Sequence, residues 1–231
     1  MGNPGRPLGN MHNVLIKFAP QRVFFDTWSR FYDLAPVQLA VYRPVHAAVL
    51  RELRTAAGTR VLDVGCGTAN LTARLPDATG ADLVAGCDFS LGMLQQASSE
   101  TTRVAWLQSD AAHLPVRTSS VDTVTSTESF HWFPEPDATL VEFHRVLRPG
   151  GRLMVALVNP PLQLTASAAR AGSSLLGQPA RWPTRAEIVH RMENTGFRLE
   201  AQRRIIRAGA LLLPTVLTLA VKPARRPCSG R

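Results

Sequence analysis

Cysteine is scarce in this 231-residue chain: only Cys66, Cys87 and Cys228. No two of them form a C-x-x-C pair and none joins histidines at zinc spacing, so neither a disulfide framework nor a metal site is indicated. A reducing, cytoplasmic setting is the expectation. A secretory leader is also missing: Gly and Pro fall within the first ten residues, and Lys17 breaks the apolar stretch that starts at Val14. Arg6 stands where a myristoylation signal needs Ser or Thr, and the terminal Cys228-Ser229-Gly230-Arg231 lacks the aliphatic residues of a prenylation box. The apolar run over residues 210–221 is interrupted by Pro214 and by threonines and falls short of the about 20 residues that a membrane span needs. It reads instead as a buried strand. No internal repeat is visible.

What is present is the composition of a folded globular protein, 45% hydrophobic and 19% charged, with length for one α/β domain and little more. The net charge of +9 is unevenly placed. Residues 181–231 hold 11 of the 26 basic and 3 of the 17 acidic residues, a net +8, which leaves +1 for residues 1–180. Such a bias suits nucleic acid, anionic lipid or an acidic substrate, or equally a solvated surface with a loose tail. It sets no oligomeric state.

Residues 1–13 are rich in Gly, Pro and Asn. From Val14 to Leu53 the pattern is helical, with interruptions expected near Pro20, Pro36 and Pro44. We read residues 1–59 as a tail and helical cap, 60–221 as a core that forms one compact domain with the cap, and 222–231 as a basic disordered tail. Within the core, short apolar runs at 60–64, 83–88, 103–108, 121–127 and 152–158 alternate with helical segments near 68–76, 90–99 and 136–147. That alternation is the βαβ signature of a parallel sheet. A short helical insertion is expected over 159–183, then a helix at 184–195 whose Thr184 and Glu187 have capping-box spacing. Strands at 198–207 and 211–221 close the pattern.

The first strand runs into Asp63-Val64-Gly65-Cys66-Gly67-Thr68. Two glycines one residue apart let backbone approach a ligand closely, because glycine has no Cβ and tolerates positive φ. A dinucleotide-binding loop would need a third glycine where Asn70 stands. A tight turn without a ligand is the plain alternative.

This loop resembles the first motif of class I S-adenosylmethionine-dependent methyltransferases. The resemblance continues in Gly86-Cys87-Asp88-Phe89-Ser90, in Gln108-Ser109-Asp110-Ala111, in the strand at 121–127 and in the turn Pro149-Gly150-Gly151. It covers roughly residues 60–158 and is nearest to the small-molecule branch called type 11. It implies a Rossmann-like, doubly wound, mostly parallel seven-stranded sheet and S-adenosylmethionine as cofactor. It further implies that Asp63, Gly65, Cys66 and Gly67 lie at the methionine end and that Asp88 accepts from the ribose hydroxyls. Phe89 and Met93 would wall the adenosine, while Asp110 and the Ala111 amide would meet the adenine. Asp88 has the alternative of capping the helix near Ser90, Asp110 that of a solvated turn, and Phe89 and Met93 that of ordinary core.

Ligands of open α/β sheets bind at the carboxyl ends of the strands, which places Thr127, Glu128, Ser129, Phe130 and His131 beside the reacting centre. His131 is the candidate general base or, alternatively, part of the wall. Trp28 and Tyr32 in the cap, Glu128, and Trp182 in the insertion are candidates for contact with a hydrophobic or planar acceptor. No Asn-Pro-Pro-Tyr sequence follows strand four, which disfavours methylation of a nucleic-acid base; Asn159-Pro160-Pro161 falls after strand five and lacks the aromatic. RNA or protein methylation and a non-catalytic cofactor-binding role remain as alternatives.

Overall fold

Residues 42–54, 60–159, 181–206 and 214–224 are described by the computed structural model. The rest of the expected cap, with Trp28 and Tyr32, most of the 159–183 insertion and residues 225–231 lie outside them.

Seven strands form one sheet: β1 Arg60–Val64, β2 Leu83–Asp88, β3 Ala105–Gln108, β4 Val121–Thr127, β5 Leu147–Val158, β6 Arg198–Ile205 and β7 Thr215–Val221. Their order is β3-β2-β1-β4-β5-β7-β6, and β7 alone runs antiparallel to its neighbours. Helices α1 Arg43–Arg54, α2 Leu75–Thr79, α3 Leu91–Glu100, α4 Pro136–Val146 and α5 Arg185–Asn194 accompany them. The fold is thus the mostly parallel sheet that the alternation of segments predicts, with the Rossmann-like seven strands that the resemblance implies.

The apolar runs are continuous because both faces of the sheet are covered. Along β5, Leu153, Val155 and Leu157 join Phe143 of α4 and Ile188 and Met192 of α5 on one side. Met154 and Ala156 face the other way, with Val45, Val49 and Leu53 of α1. These three α1 residues recur every fourth position, the stripe of an amphipathic helix. Strand β7 has no exposed residue at all, which accounts for its membrane-like composition. Among the described residues no helix is long and apolar enough to cross a membrane.

Several expected boundaries move. Pro44 does not interrupt a helix: it occupies the first turn of α1, where its missing N–H costs nothing. The helix expected over 68–76 does not start at 68. Ala69 takes φ +73°, which no right-handed helix allows, so the chain turns until a short 3-10 segment, Thr72–Arg74, and then α2. Pro76 sits in the first turn of α2 and Gly80 ends it in the left-handed region, φ +62°. Strand β3 begins at Ala105 rather than at 103. Strand β5 starts earlier than expected, at Leu147, but its register to β4 jumps from Val121–Leu147 to Thr123–Arg152, so the Pro-Gly-Gly segment bulges out between them. The capping box of α5 is complete: Thr184 Oγ1 accepts from Glu187 N at 3.2 Å and Glu187 Oε2 accepts from Thr184 N at 2.7 Å.

The expected tail does not begin cleanly at 222. Lys222 Nζ donates to the carbonyls of His144 and Leu147, both at 2.7 Å, covering the C-terminal end of α4. Its backbone bonds to Gly150 and Gly151 extend the sheet edge by one residue.

Candidate functional site

Strand order reverses between β1 and β4, so the crevice of this sheet opens at their carboxyl ends. There β1 enters a turn in which Gly65 and Gly67 have φ +73° and +55°. A Cβ on Gly65 would collide with the side chain of Ser129, so both the backbone angle and the space demand glycine. The sequence places Ser129 at this strand end but does not reveal its packing against Gly65. Its hydroxyl reaches Ser126 Oγ at 2.8 Å and the Val64 carbonyl at 3.2 Å, tying the end of β4 to the end of β1.

The loop is also tied to β2. Gly65 N and Cys66 N both donate to the Cys87 carbonyl, at 2.7 and 3.1 Å, and Gly67 N donates to Asp88 Oδ2 at 2.9 Å. The other oxygen, Asp88 Oδ1, accepts from Ser90 N at 2.9 Å. The cap of α3 is Ser90, whose Oγ accepts from Met93 N at 3.1 Å, so capping is not the task of Asp88. Burial raises the Asp88 pKa to about 6 against the lowering effect of these amides.

Asp63 is buried within the sheet. Its two oxygens accept from Thr72 Oγ1 at 2.6 Å and Thr125 Oγ1 at 2.8 Å, and burial raises its pKa despite both bonds. Burial likewise drives the Cys66 thiol upward, so it stays protonated at neutral pH. Phe89 is half-buried beside Asp88, while Met93 is 3% exposed and packs inward from α3.

Past β3, Asp110 Oδ1 accepts from Ala112 N at 3.0 Å, and the Asp110 side chain keeps partial exposure. Ala111 is buried. The connection that follows is clamped to α4: Leu114 N donates to Glu142 Oε2 at 3.0 Å, and Arg145 donates to the carbonyls of Leu114 and Val116 at 3.0 and 2.8 Å.

Thr127 ends β4, paired with Ala156. Glu128 follows with φ +51°, uncommon for a non-glycine residue and costing of order 1–3 kcal/mol. Its amide donates to the Ala156 carbonyl at 2.7 Å, and its carboxylate points to Thr215 Oγ1 at 3.5 Å. His131 lies in the 3-10 turn Phe130–Trp132, 6% exposed. Its ring packs against two indoles, 5.0 Å from Trp132 and 5.4 Å from Trp182, nearly parallel to the latter at 27°, and the indoles meet each other edge-on at 6.4 Å. Burial lowers its pKa to about 3, and its Nδ1 has no hydrogen-bond partner.

The structure therefore gathers Asp63, Gly65, Cys66, Gly67, Asp88, Phe89, Asp110, Ala111, Thr127, Glu128 and His131 at or just beyond the ends of four adjacent strands. Trp182 joins them by stacking on His131. Trp28 and Tyr32 lie outside the described residues. Among the described residues no group of three His, Cys, Asp or Glu could hold a metal ion.

Sheet order, glycine turn and acidic strand ends together define a nucleoside-binding Rossmann-like site. The family model described as a methyltransferase domain, type 11, matches residues 62–155. The demethylmenaquinone methyltransferase of Clavibacter sepedonicus is 30% identical over 232 residues, covering 90% of this chain and 92% of its own. That of Beutenbergia cavernae is 38% identical over 139 residues, which is 59% of this chain and 57% of that relative's length. A chain of the complex between the Haloferax volcanii Trm112 methyltransferase activator and a methyltransferase superposes with a TM-score of 0.73 at 24% identity, over 86% of this chain and 97% of that one, a likeness of fold alone. The chain belongs to the class I S-adenosylmethionine-dependent methyltransferases, in the type 11 family. It is a methyltransferase that uses S-adenosylmethionine.

The strand ends fit that cofactor on a ground the structure itself provides. Asp88 accepts the backbone amides of Gly67, Ser90 and Phe89, and a carboxylate offers about four acceptor sites. A ribose hydroxyl can thus be added without breaking these ties.

Proposed function

We propose that this enzyme methylates a small, hydrophobic or planar metabolite at the carboxyl end of β4. The carrying observation is the Trp132–His131–Trp182 cluster, an aromatic corner in which an uncharged imidazole stacks on Trp182 while Trp132 stands edge-on to that indole. The names of the relatives, which act on demethylmenaquinone, support a planar acceptor for this chain.

In this reading residues 60–221 form the cofactor core and 1–59 the cap over it. Asp88 accepts from the ribose hydroxyls, Asp110 from the adenine amine, and the Ala111 amide meets a ring nitrogen. Phe89 and Met93 flank the adenosine, and Gly65, Cys66 and Gly67 pass along the methionine part. Asp63 acts indirectly: through Thr72 and Thr125 it fixes the strand end from which the loop departs. Bound S-adenosylmethionine supplies an electrophilic methyl group on a sulfonium.

What the chain adds is placement and dryness, which carry much of an in-line displacement. Thr127 and Glu128 border the reacting centre, and Trp182, with Trp28 and Tyr32 from the cap, encloses the acceptor. His131 serves as a positioning group rather than as a base. A nitrogen whose pKa lies near 3 takes a proton poorly from a hydroxyl at neutral pH.

Labelled methyl transfer to a panel of planar hydrophobic compounds, RNA and protein tests this. Turnover on a planar compound, lost in Trp182→Ala and insensitive to salt, is expected. Transfer confined to RNA and falling steeply with salt would replace this reading with one built on the basic residues of 181–231.

A further inference from the structure

Two buried polar atoms at this edge of the sheet have no hydrogen-bond partner, His131 Nδ1 and Asn159 Oδ1. Asn159 is fully buried just beyond the end of β5. Buried polar groups are nearly always paired, so two orphans at one end of one sheet call for an explanation.

Both residues are anchored to the same short segment, 181–183. Arg181 N donates to the His131 carbonyl at 2.8 Å, and Asn159 Nδ2 donates to the Pro183 carbonyl at 2.8 Å. Between these two anchors Trp182 lies on the His131 ring. The Pro183 carbonyl can only accept, which fixes the way the Asn159 amide faces and leaves Oδ1 as the free end. Asn159 N is also held, by the Pro214 carbonyl at 2.9 Å, so the side chain starts from a fixed backbone.

We propose that Asn159 Oδ1 and His131 Nδ1 are the polar contacts for the methyl acceptor, and that they select a neutral, planar ring bearing a hydroxyl group. The proposal rests on the planar-acceptor reading and adds the chemistry of its recognition. Asn159 Oδ1 accepts only, so the ligand must present an O–H or N–H donor. The imidazole, kept uncharged by burial, takes the second polar contact in whichever tautomer suits it. Among the described residues no lysine or arginine is buried, so a carboxylate or phosphate would lose its hydration there without a countercharge. Phenolic and enolic acceptors fit, and anionic ones do not.

Three probes of one shape test this by equilibrium dialysis against the full chain with the demethylated cofactor bound: naphthalene, 1-naphthol and 1-naphthoate. The unmodified protein should bind 1-naphthol about tenfold more tightly than naphthalene, with 1-naphthoate weakest. His131→Phe keeps a ring against Trp182 but removes Nδ1, and Asn159→Leu removes Oδ1. Each should cut the naphthol preference by about threefold or more while leaving naphthalene binding nearly unchanged. A folded variant of either kind that keeps the full preference overturns the proposal, as does tighter binding of 1-naphthoate by the unmodified protein. Should Asn159→Leu fail to fold, His131→Phe decides alone. Binding of all three probes without regard to the hydroxyl sinks this proposal and spares the planar-acceptor reading; binding of none sinks both.

Discussion

Gly67 gives its amide to Asp88 Oδ2 at 2.9 Å, so the glycine turn after β1 and the acid at the end of β2 are one connected piece. With Ser90 N on the other oxygen, the same carboxylate also sets the start of α3. A residue proposed to hold the ribose thereby also shapes the turn that faces the rest of the cofactor.

Replacing Asp88 by Ala should cost about 2–4 kcal/mol of cofactor affinity, the loss of its charge-assisted hydrogen bonding to the ribose. It should also lower thermal stability, because the Gly67 and Ser90 amides lose their acceptor. Calorimetry with the cofactor and a melting curve separate the two effects. A lower melting temperature with an unchanged dissociation constant would make Asp88 a tie within the protein and no ligand residue.

The Asp88 pKa near 6 predicts how cofactor binding depends on pH. Accepting a ribose hydroxyl requires the carboxylate, so affinity should be flat above about pH 7 and fall by up to roughly tenfold per unit below pH 6. Titrations at pH 5, 6, 7 and 8 would show it, and the inflection should vanish in Asp88→Asn.

Stability should move with pH for a different reason. His131 and His46 are buried, with pKa values lowered to about 3 and about 4, so below pH 6.5 the unfolded chain takes up two protons that the native state refuses. Their contribution is complete above pH 6.5 and is lost as pH falls toward those values. Asp88 acts with the opposite sign: its raised pKa gives stability at low pH that disappears as pH rises through 6. Asp63, also raised by burial, acts in the sense of Asp88, and His144, also lowered by burial, in the sense of the two histidines, so the opposing shifts partly offset and each net proton is worth at most about 1.4 kcal/mol per pH unit. Melting temperatures between about pH 6 and 4 read the net sign and check that bound on the slope.

His131→Phe should make the protein more stable. The change removes a buried nitrogen that lacks a partner and keeps an aromatic ring against Trp132 and Trp182. A gain of about 1 kcal/mol corresponds to a rise of about 2–4 °C in melting temperature for a chain of this size. Methyl transfer should fall in the same variant. Lower stability together with unchanged turnover would show that the imidazole serves packing alone.

Truncation distinguishes Lys222 from the residues after it. A chain ending at Ala224 keeps the bonds from Lys222 to His144 and Leu147, whereas a chain ending at Val221 loses them and two backbone bonds. The shorter chain should melt several degrees lower, at about 1 kcal/mol per bond lost. Equal melting temperatures would return Lys222 to the tail.

The core of the site was legible because it is local. Asp63 to Thr68 lie within six consecutive residues, Asp88 follows at a strand end, and the parallel sheet announces itself through apolar runs buried on both faces. The misplaced helix start has a physical cause: the left-handed backbone of Ala69 leaves no mark on hydrophobic periodicity. Ser129 against Gly65, and Asn159 against Pro183, are meetings of residues far apart in the chain, set by the sheet rather than by any spacing. Lys222 read as one more basic residue of a charged tail, since nothing around it in the sequence points to the carbonyls it covers. His131 was legible as a candidate, but its neutrality comes from burial, and one of the rings packed on it lies about fifty residues downstream.

The clamp between α4 and the connection after β3 makes two distant stretches open together. Glu142 holds the Leu114 amide, and Arg145 holds the Leu114 and Val116 carbonyls, so the segment cannot peel from the helix without stripping a carboxylate and a guanidinium at once. Amide exchange at Leu114 should then follow the slow protons of α4 rather than those of an ordinary surface loop. The Asp110–Ala112 turn just before it inherits that slowness, so the face proposed for the adenine is formed before any nucleoside arrives.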